Sequence, residues 1–156
     1  MLLSGDFGDY LAYFRAWADA DSDVKFFFFG GAEFGMDHSA GDPEFDFPLV
    51  WLQSPVIHPS KNDAGQYWDA YKTGVSFISK IDIGDNADYH AKLTEMYRLM
   101  SRFRAQLVKD NKNKGFLDME SQMEIGEIDR GWSGHFCGWR LEFNVLLNAN
   151  AYVNAG

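Results

Sequence analysis

The four histidines, His38, His58, His90 and His135, are the first residues to test for chemistry. None stands in an H-x-H or H-E-x-x-H pattern, the spacings that bring two imidazoles to one metal ion. Asp37-His38, with Asp42, Glu44 and Asp46 close behind, is the one cluster a hard or borderline cation could use. It lacks the spacing of an EF-hand, and acids in a Gly- and Pro-containing loop are most often simply solvated. With 23 Asp and Glu residues, some carboxylate pair always looks suitable for acid–base work, so pairing alone selects nothing. Cys137 is the single cysteine, which excludes an intrachain disulfide and a cysteine-built zinc site. No activating motif surrounds it, so it reads as a buried structural thiol. No serine stands in a G-x-S-x-G elbow. Gly30-Gly31-Ala32-Glu33-Phe34-Gly35 follows a strand-like run but has neither G-x-G-x-x-G nor the Lys-Ser/Thr of a phosphate loop. Trp51, Trp68, Trp132 and Trp139 could line a sugar site, although core or interface packing is the commoner use of such rings. No catalytic residue, cofactor or metal is assigned, and the expectation is a non-enzymatic protein.

What does stand out is charge. Residues 92–114 carry Lys92, Arg98, Arg102, Arg104, Lys109, Lys112 and Lys114 against Glu95 and Asp110, a net +5. The rest of the chain nets −14, residues 1–46 alone −8, and the whole −9. One reading is a solvated helix face. The other is a basic helix offered to the acidic surface of a copy or partner, because complementary patches steer association and fix register. Unlike patches meeting head to tail close into a ring when the rotation permits. Overall acidity disfavours general nucleic-acid binding, which needs cations to displace phosphate counterions.

The elements that must position these residues follow from patterning. At 156 residues the chain fits one domain, 1–156, with a real core. A hydrophobic content of 46% excludes overall disorder, and the 17% of aromatic residues is high. No apolar run approaches the ~18 residues of a membrane span, and MLLSGDF lacks the features of a secretory signal. Phe7, Tyr10, Leu11, Phe14, Trp17 and Ala18 predict a helix over residues 5–20, with Ser4 as its cap. Val24 to Phe29 predicts a strand, central or covered, since four consecutive Phe must bury both faces. Residues 32–46 read as a long loop, and 47–53 as a strand with Pro48 at its start. Residues 54–73 read as a connection, and Gly74 to Ile83 as a third strand.

Tyr89, Leu93, Met96, Met100, Phe103 and Leu107 form one apolar stripe and predict a helix from Asp88 to about Lys109. Asp85 or Asn86 can cap it, and Asp88 and Lys92 stand four apart for an ion pair. Two strands close the chain, 116–128 and the run in which Cys137, Trp139, Leu141, Phe143, Val145 and Leu147 alternate with polar residues. Joined by a short turn, they should pair antiparallel, leaving a loose tail at 150–156. The fold class is α+β: a mainly antiparallel sheet with two helices packed on it, in the order α-β-β-β-α-β-β.

Two stretches, Phe47-Pro48-Leu49-Val50-Trp51-Leu52 and Asp129-Arg130-Gly131-Trp132-Ser133-Gly134-His135-Phe136-Cys137-Gly138-Trp139, together with this order of elements, carry a resemblance. The chain resembles the tail-terminator and head–tail joining (tail completion) proteins of tailed phages. The resemblance implies a structural virion protein made in the host cytoplasm. It implies a ring homo-oligomer, commonly a hexamer, that caps the tail tube and joins it to head-completion or neck proteins. DNA would pass through without specific binding, and no membrane is involved. The expected assembly contacts are Lys92, Arg98, Arg102, Arg104, Lys109, Trp51 and Trp132. Three alternatives stand beside it: another neck or head-completion adaptor of a phage or contractile injection particle, a cellular α+β module that binds a ligand or protein through its aromatic strands, and a metal-assisted hydrolase using the Asp37–Asp46 loop.

Overall fold

The computed structural model describes residues 5–31, 46–61, 63–82, 84–114, 123–128 and 135–149. The chain is α+β, and among the described residues it has two helices and a six-stranded, mostly antiparallel sheet. Helix α1 spans Phe7–Ala20, and strands β1 to β4 span Phe26–Gly30, Leu49–Gln53, Val56–Lys61 and Tyr67–Lys80. Helix α2 spans Asn86–Lys114, followed by β5, Glu124–Glu127, and β6, Phe136–Asn148. The strands lie in the order β1-β2-β4-β6-β5, with β3 also paired to β4, and β1 runs parallel to β2. The expected loop is described only at Asp46, and the strand expected over 116–128 only from 123. The turn 129–134 and the tail 150–156 lie outside the described residues.

The α1 cap is Asp6 rather than Ser4. Its Oδ1 accepts from the Asp9 N–H at 3.2 Å while Asp9 Oδ2 accepts from the Asp6 N–H at 3.0 Å, a reciprocal capping box. Tyr10, Tyr13, Phe14 and Ala18 face inward. For α2 the cap is Asp85, whose Oδ1 accepts from the Asp88 N–H at 3.0 Å. The helix outruns its expected end and reaches Lys114, because the polar 110–114 segment contains no Gly or Pro to break it. Its buried stripe is Met96, Leu99, Met100, Phe103 and Leu107, with Tyr89 and Leu93 half-buried. Lys92 pairs with Glu95 at 3.6 Å instead of Asp88, which accepts from the Asp82 N–H.

The expected connection over 54–73 is instead ordered sheet. β2 and β3 pair with the same strand in the same sense, Leu52 opposite Val75 and Val56 opposite Lys72. Residues 53–55 therefore face only residues 73–74, so one extra residue bulges out and re-aims the strand. Pro59 is tolerated because β3 lies off the main path of the sheet, its six residues all exposed. β4 accordingly begins at Tyr67 rather than Gly74 and ends at Lys80 rather than Ile83. Among the described residues β1 stands at the sheet edge, so of the two expectations the covered strand holds. Its alternation sends Phe27 and Phe29 to the helix side and Phe26 and Phe28 to the other, all four half-buried.

Both helices share one face of the sheet. Val50, Leu52, Val75, Phe77, Leu141, Phe143, Val145 and Leu147 meet them in a single core. On the opposite face Leu49, Trp51 and Ile78 form a second, smaller cluster. One polar pair is locked inside the main core: Tyr10 Oη hydrogen-bonds Thr73 Oγ1, and burial pushes the Tyr10 phenol above its ordinary range. Removing one partner strands the other, at about 1–3 kcal/mol, whereas removing both is nearly neutral. Urea unfolding of Tyr10→Phe, Thr73→Val and the double variant should therefore show a double loss smaller than the sum of the single losses. Additive losses would mean the hydroxyls act independently.

Candidate functional site

On α2, Arg98, Arg102 and Lys109 stand four and seven residues apart and share one outward strip. Arg104 lies on the other flank. The structure separates this set by what each residue already holds. Arg102 Nη2 lies 2.7 Å from Asp23 and 3.2 Å from Asp21, and its Nε donates to Asp21 at 3.2 Å. This fork ties the end of α1 to α2, and its hydrogen bond to Asp21 holds the guanidinium above its ordinary pKa. Arg102, expected at an assembly surface, is thus bound within the chain while its side chain stays about half exposed, and Lys92 is paired with Glu95. Arg98, Arg104 and Lys109 form no ion pair among the described residues.

Trp51 is not a surface anchor. It is 3% exposed, stacked on Phe28 with centroids 5.6 Å apart and planes 6° apart. Its Nε1 donates to the Gly30 carbonyl at 2.8 Å. Trp132, Asp37, His38, Asp42 and Glu44 lie outside the described residues. Cys137 is buried, as its alternation predicts. Tyr13 donates to Asp110 at 2.7 Å, and burial raises its phenol too, so both strongly shifted tyrosines are committed to structural bonds.

Three surface features were not singled out from the sequence. The first is an arm. Beyond Tyr71 the β3–β4 hairpin continues with β6 alongside, Trp68 opposite Asn148, and β3 packs chiefly on β4. The arm was hidden by its own punctuation, since Pro55, Pro59 and Gly65 all signal loops.

The second is a hollow of about 320 Å³ on the sheet face away from the helices. Its floor follows from register: Trp51, Ser76, Arg140 and Gly126 form one row across β2, β4, β6 and β5, beside Gly74, Glu142 and Glu124. Small residues at Ser76 and Gly126 leave the space, Gly74 lets the Arg140 and Gln53 side chains lie close against the sheet, and Gln53 walls it. Arg140 Nη2 pairs with Glu142 at 2.8 Å, while its buried Nε has no hydrogen-bond partner in the structure. Glu124 stands directly opposite Glu142, a like-charge placement that favours a donor between them. Glu124, Glu127 and Glu142 against the single cation Arg140 make the lining net negative, so the hollow suits a ligand that offers donors to the carboxylates and one acceptor to Arg140.

The third is an apolar groove of about 360 Å³ between α2 and β6, lined by His90, Leu93, Thr94, Tyr97 and Trp139. Trp139 Nε1 donates to the Leu93 carbonyl at 2.9 Å, which fixes the groove floor. The signal for it was present, since Leu93 and Tyr97 are four apart on one helix flank. Among the described residues no three His, Cys, Asp or Glu side chains converge as metal ligands. No described helix is long and apolar enough to cross a membrane.

Comparison with protein-family models, with curated proteins and with solved structures returns no match.

Proposed function

We propose that the chain is a non-enzymatic structural protein of a phage particle, a ring-forming subunit of the tail-terminator or neck-adaptor kind. The observation that carries this reading is the polarity of the surface. Arg98 and Lys109 stand on the outer side of α2 and form no ion pair among the described residues, while the chain outside residues 92–114 nets −14. Unlike surfaces on one molecule are what a head-to-tail contact requires, and such contacts close into rings. In this reading the ring caps a tail tube, meets head-completion proteins on its other side, and lets DNA pass through an acidic lumen without holding it. A hexamer is the stoichiometry implied by the family resemblance.

The hollow supports a second reading, a ligand-binding module, because a buried guanidinium N–H without an acceptor is a group that a ligand can satisfy. Negative-stain electron microscopy and native mass spectrometry of the purified chain separate the two. Closed rings with a central hole and one stoichiometry are expected. A monomer at all concentrations and salt levels would overturn the ring reading and leave the module.

A further inference from the structure

We propose that the hollow on the sheet face away from the helices binds a small organic ammonium ion, one that also carries an apolar body and an uncharged acceptor. The inference rests on the ligand-module reading of this hollow and names its ligand class. It holds whether or not copies of the chain form rings.

Strand register grades the hollow from polar to apolar. On one side of the row from Trp51 to Gly126 stand Glu142 and Glu124, directly opposite each other on β6 and β5. On the other side stand Ile78 and Ile128, both in line with Gly138. Ile128 lines the hollow while it packs on the smaller core cluster to which Ile78 belongs. A ligand lying across these rows needs a donor end and an apolar end. At about 320 Å³ the hollow has the size of a small-molecule site.

The donor end must be a cation. Of the three carboxylates in the lining, Glu127 is committed, because it accepts from the Tyr89 hydroxyl. Glu142 Oε1 holds Arg140 Nη2 at 2.8 Å. Glu124 forms no ion pair among the described residues. Like charges opposed across a strand pair destabilise it, and a positive group between Glu124 and Glu142 removes that cost. An ammonium brings three donors to the carboxylate oxygens still open, in charge-assisted hydrogen bonds. Among the described residues no three side chains converge as metal ligands, which favours an organic cation over a metal ion.

Arg140 makes a demand that the acids do not. Its Nε is buried and has no hydrogen-bond partner in the structure, although Nη2 of the same guanidinium is used. A buried N–H of this kind costs free energy until an acceptor reaches it. A Cβ at Gly74 would stand 2.9 Å from Nε, so the glycine is what lets the guanidinium settle along the sheet beside the space. A hydroxyl or carbonyl oxygen on the ligand supplies the acceptor without adding negative charge beside Glu142. A ligand carboxylate would add to the repulsion already there.

The test is isothermal titration calorimetry of the full chain with phenylethanolamine, which joins an ammonium, a hydroxyl and a phenyl ring. It should bind, and phenylethylene glycol, with a hydroxyl in place of the ammonium, should bind about tenfold more weakly. Glu124→Gln, at an exposed position, should weaken the amine about tenfold and leave the glycol unchanged. Gly126→Leu should block both compounds at an unchanged melting temperature, because a Cβ there meets nothing within 4 Å and the side chain fills the space. Equal affinities for amine and glycol, or a Glu124→Gln variant that binds the amine as wild type does, would overturn the proposal. Undiminished amine binding in Gly126→Leu would place the ligand elsewhere, overturning the proposal while leaving the ligand-module reading. Binding of neither compound to the wild-type chain would overturn both.

Discussion

Gly138→Ala should destabilise the chain by about 3 kcal/mol or more, lowering its melting temperature by roughly 10 °C. A Cβ at Gly138 would stand 1.9 Å from the Phe77 carbonyl oxygen and 2.9 Å from its carbon. Those atoms are backbone of β4, inside the thirteen-residue β4–β6 pairing that runs from Trp68–Asn148 to Lys80–Phe136. No rotamer change relieves an overlap with main chain, so the ladder itself must move. Two other glycines on the same sheet face set the scale. At Gly74 a Cβ would meet Arg140 Nε at 2.9 Å and Gln53 Oε1 at 3.1 Å, the ends of flexible side chains that can shift. At Gly126 it would meet nothing within 4 Å. The expected order of loss is therefore Gly138→Ala, then Gly74→Ala, with Gly126→Ala within about 0.5 kcal/mol of wild type. Chemical denaturation measures all three, and a Gly138 variant as stable as the Gly126 variant would refute the steric account. Gly74→Ala has a second use. It disturbs the floor of the hollow beside Arg140, so it bears on the ligand-module reading without touching the arm or the groove.

The sequence conveys most clearly the parts of this fold whose periodicity is unbroken. The α2 stripe from Met96 to Leu107 and the β6 alternation from Cys137 to Leu147 are each set by a single packing face, and both are buried as their spacing requires. The α1 stripe is equally clear, and only its cap moves, from Ser4 to Asp6, because Asp9 stands three residues on to complete the box. What the pattern hides is structure whose residues answer to no core. β3 buries nothing, so Val56 to Lys61 carries no alternation, and its prolines outweigh its β-branched residues in any local reading. The parallel β1–β2 pairing is hidden for a different reason. Pairing sense is set by the crossover between strands rather than by residues within them.

The candidate surfaces divide in the same way. A run of cations is visible in one dimension, but which of them are already neutralised is a three-dimensional fact. Arg102 is held by Asp21 and Asp23, about eighty residues away in the chain, and no local spacing announces that fork. Trp51 shows the same gap between residue type and role. An aromatic ring beside Pro48 looks like an interface anchor, yet stacking on Phe28 and its bond to Gly30 consume it. The hollow depends on cross-strand register, which brings Gly74, Ser76 and Gly126 level with Arg140, Glu142 and Glu124 only once four strands are aligned.

Phe103→Ala should cost about 3–5 kcal/mol, the range for truncating a buried Phe. The residue is 1% exposed and joins four rings from three elements. Its centroid lies 4.8 Å from that of Trp17, 5.8 Å from Phe14, 5.6 Å from Phe77 and 6.3 Å from Phe143. Trp17 and Phe14 belong to α1, Phe77 to β4 and Phe143 to β6, so one ring keeps both helices and the two longest strands in contact. Such ring pairs add about 0.5–1.5 kcal/mol each beyond the area they bury, and alanine removes all four together. A domain of this size is typically stable by about 5–15 kcal/mol, so the loss is a large fraction of the whole. Phe103→Leu, which keeps most of the volume, should lose clearly less. Urea unfolding of the two variants distinguishes packing from mere hydrophobicity: equal losses, or an alanine loss below about 1.5 kcal/mol, would mean the cluster is not the joint between helices and sheet. In the proposed ring the effect would reach assembly through α2, because the helix held by Phe103 carries the outward strip of Arg98 and Lys109. In the proposed ring, a chain that loses this joint should fail to assemble even with every surface residue intact. Melting and sedimentation measured together on Phe103→Ala therefore test whether loss of assembly follows loss of the fold.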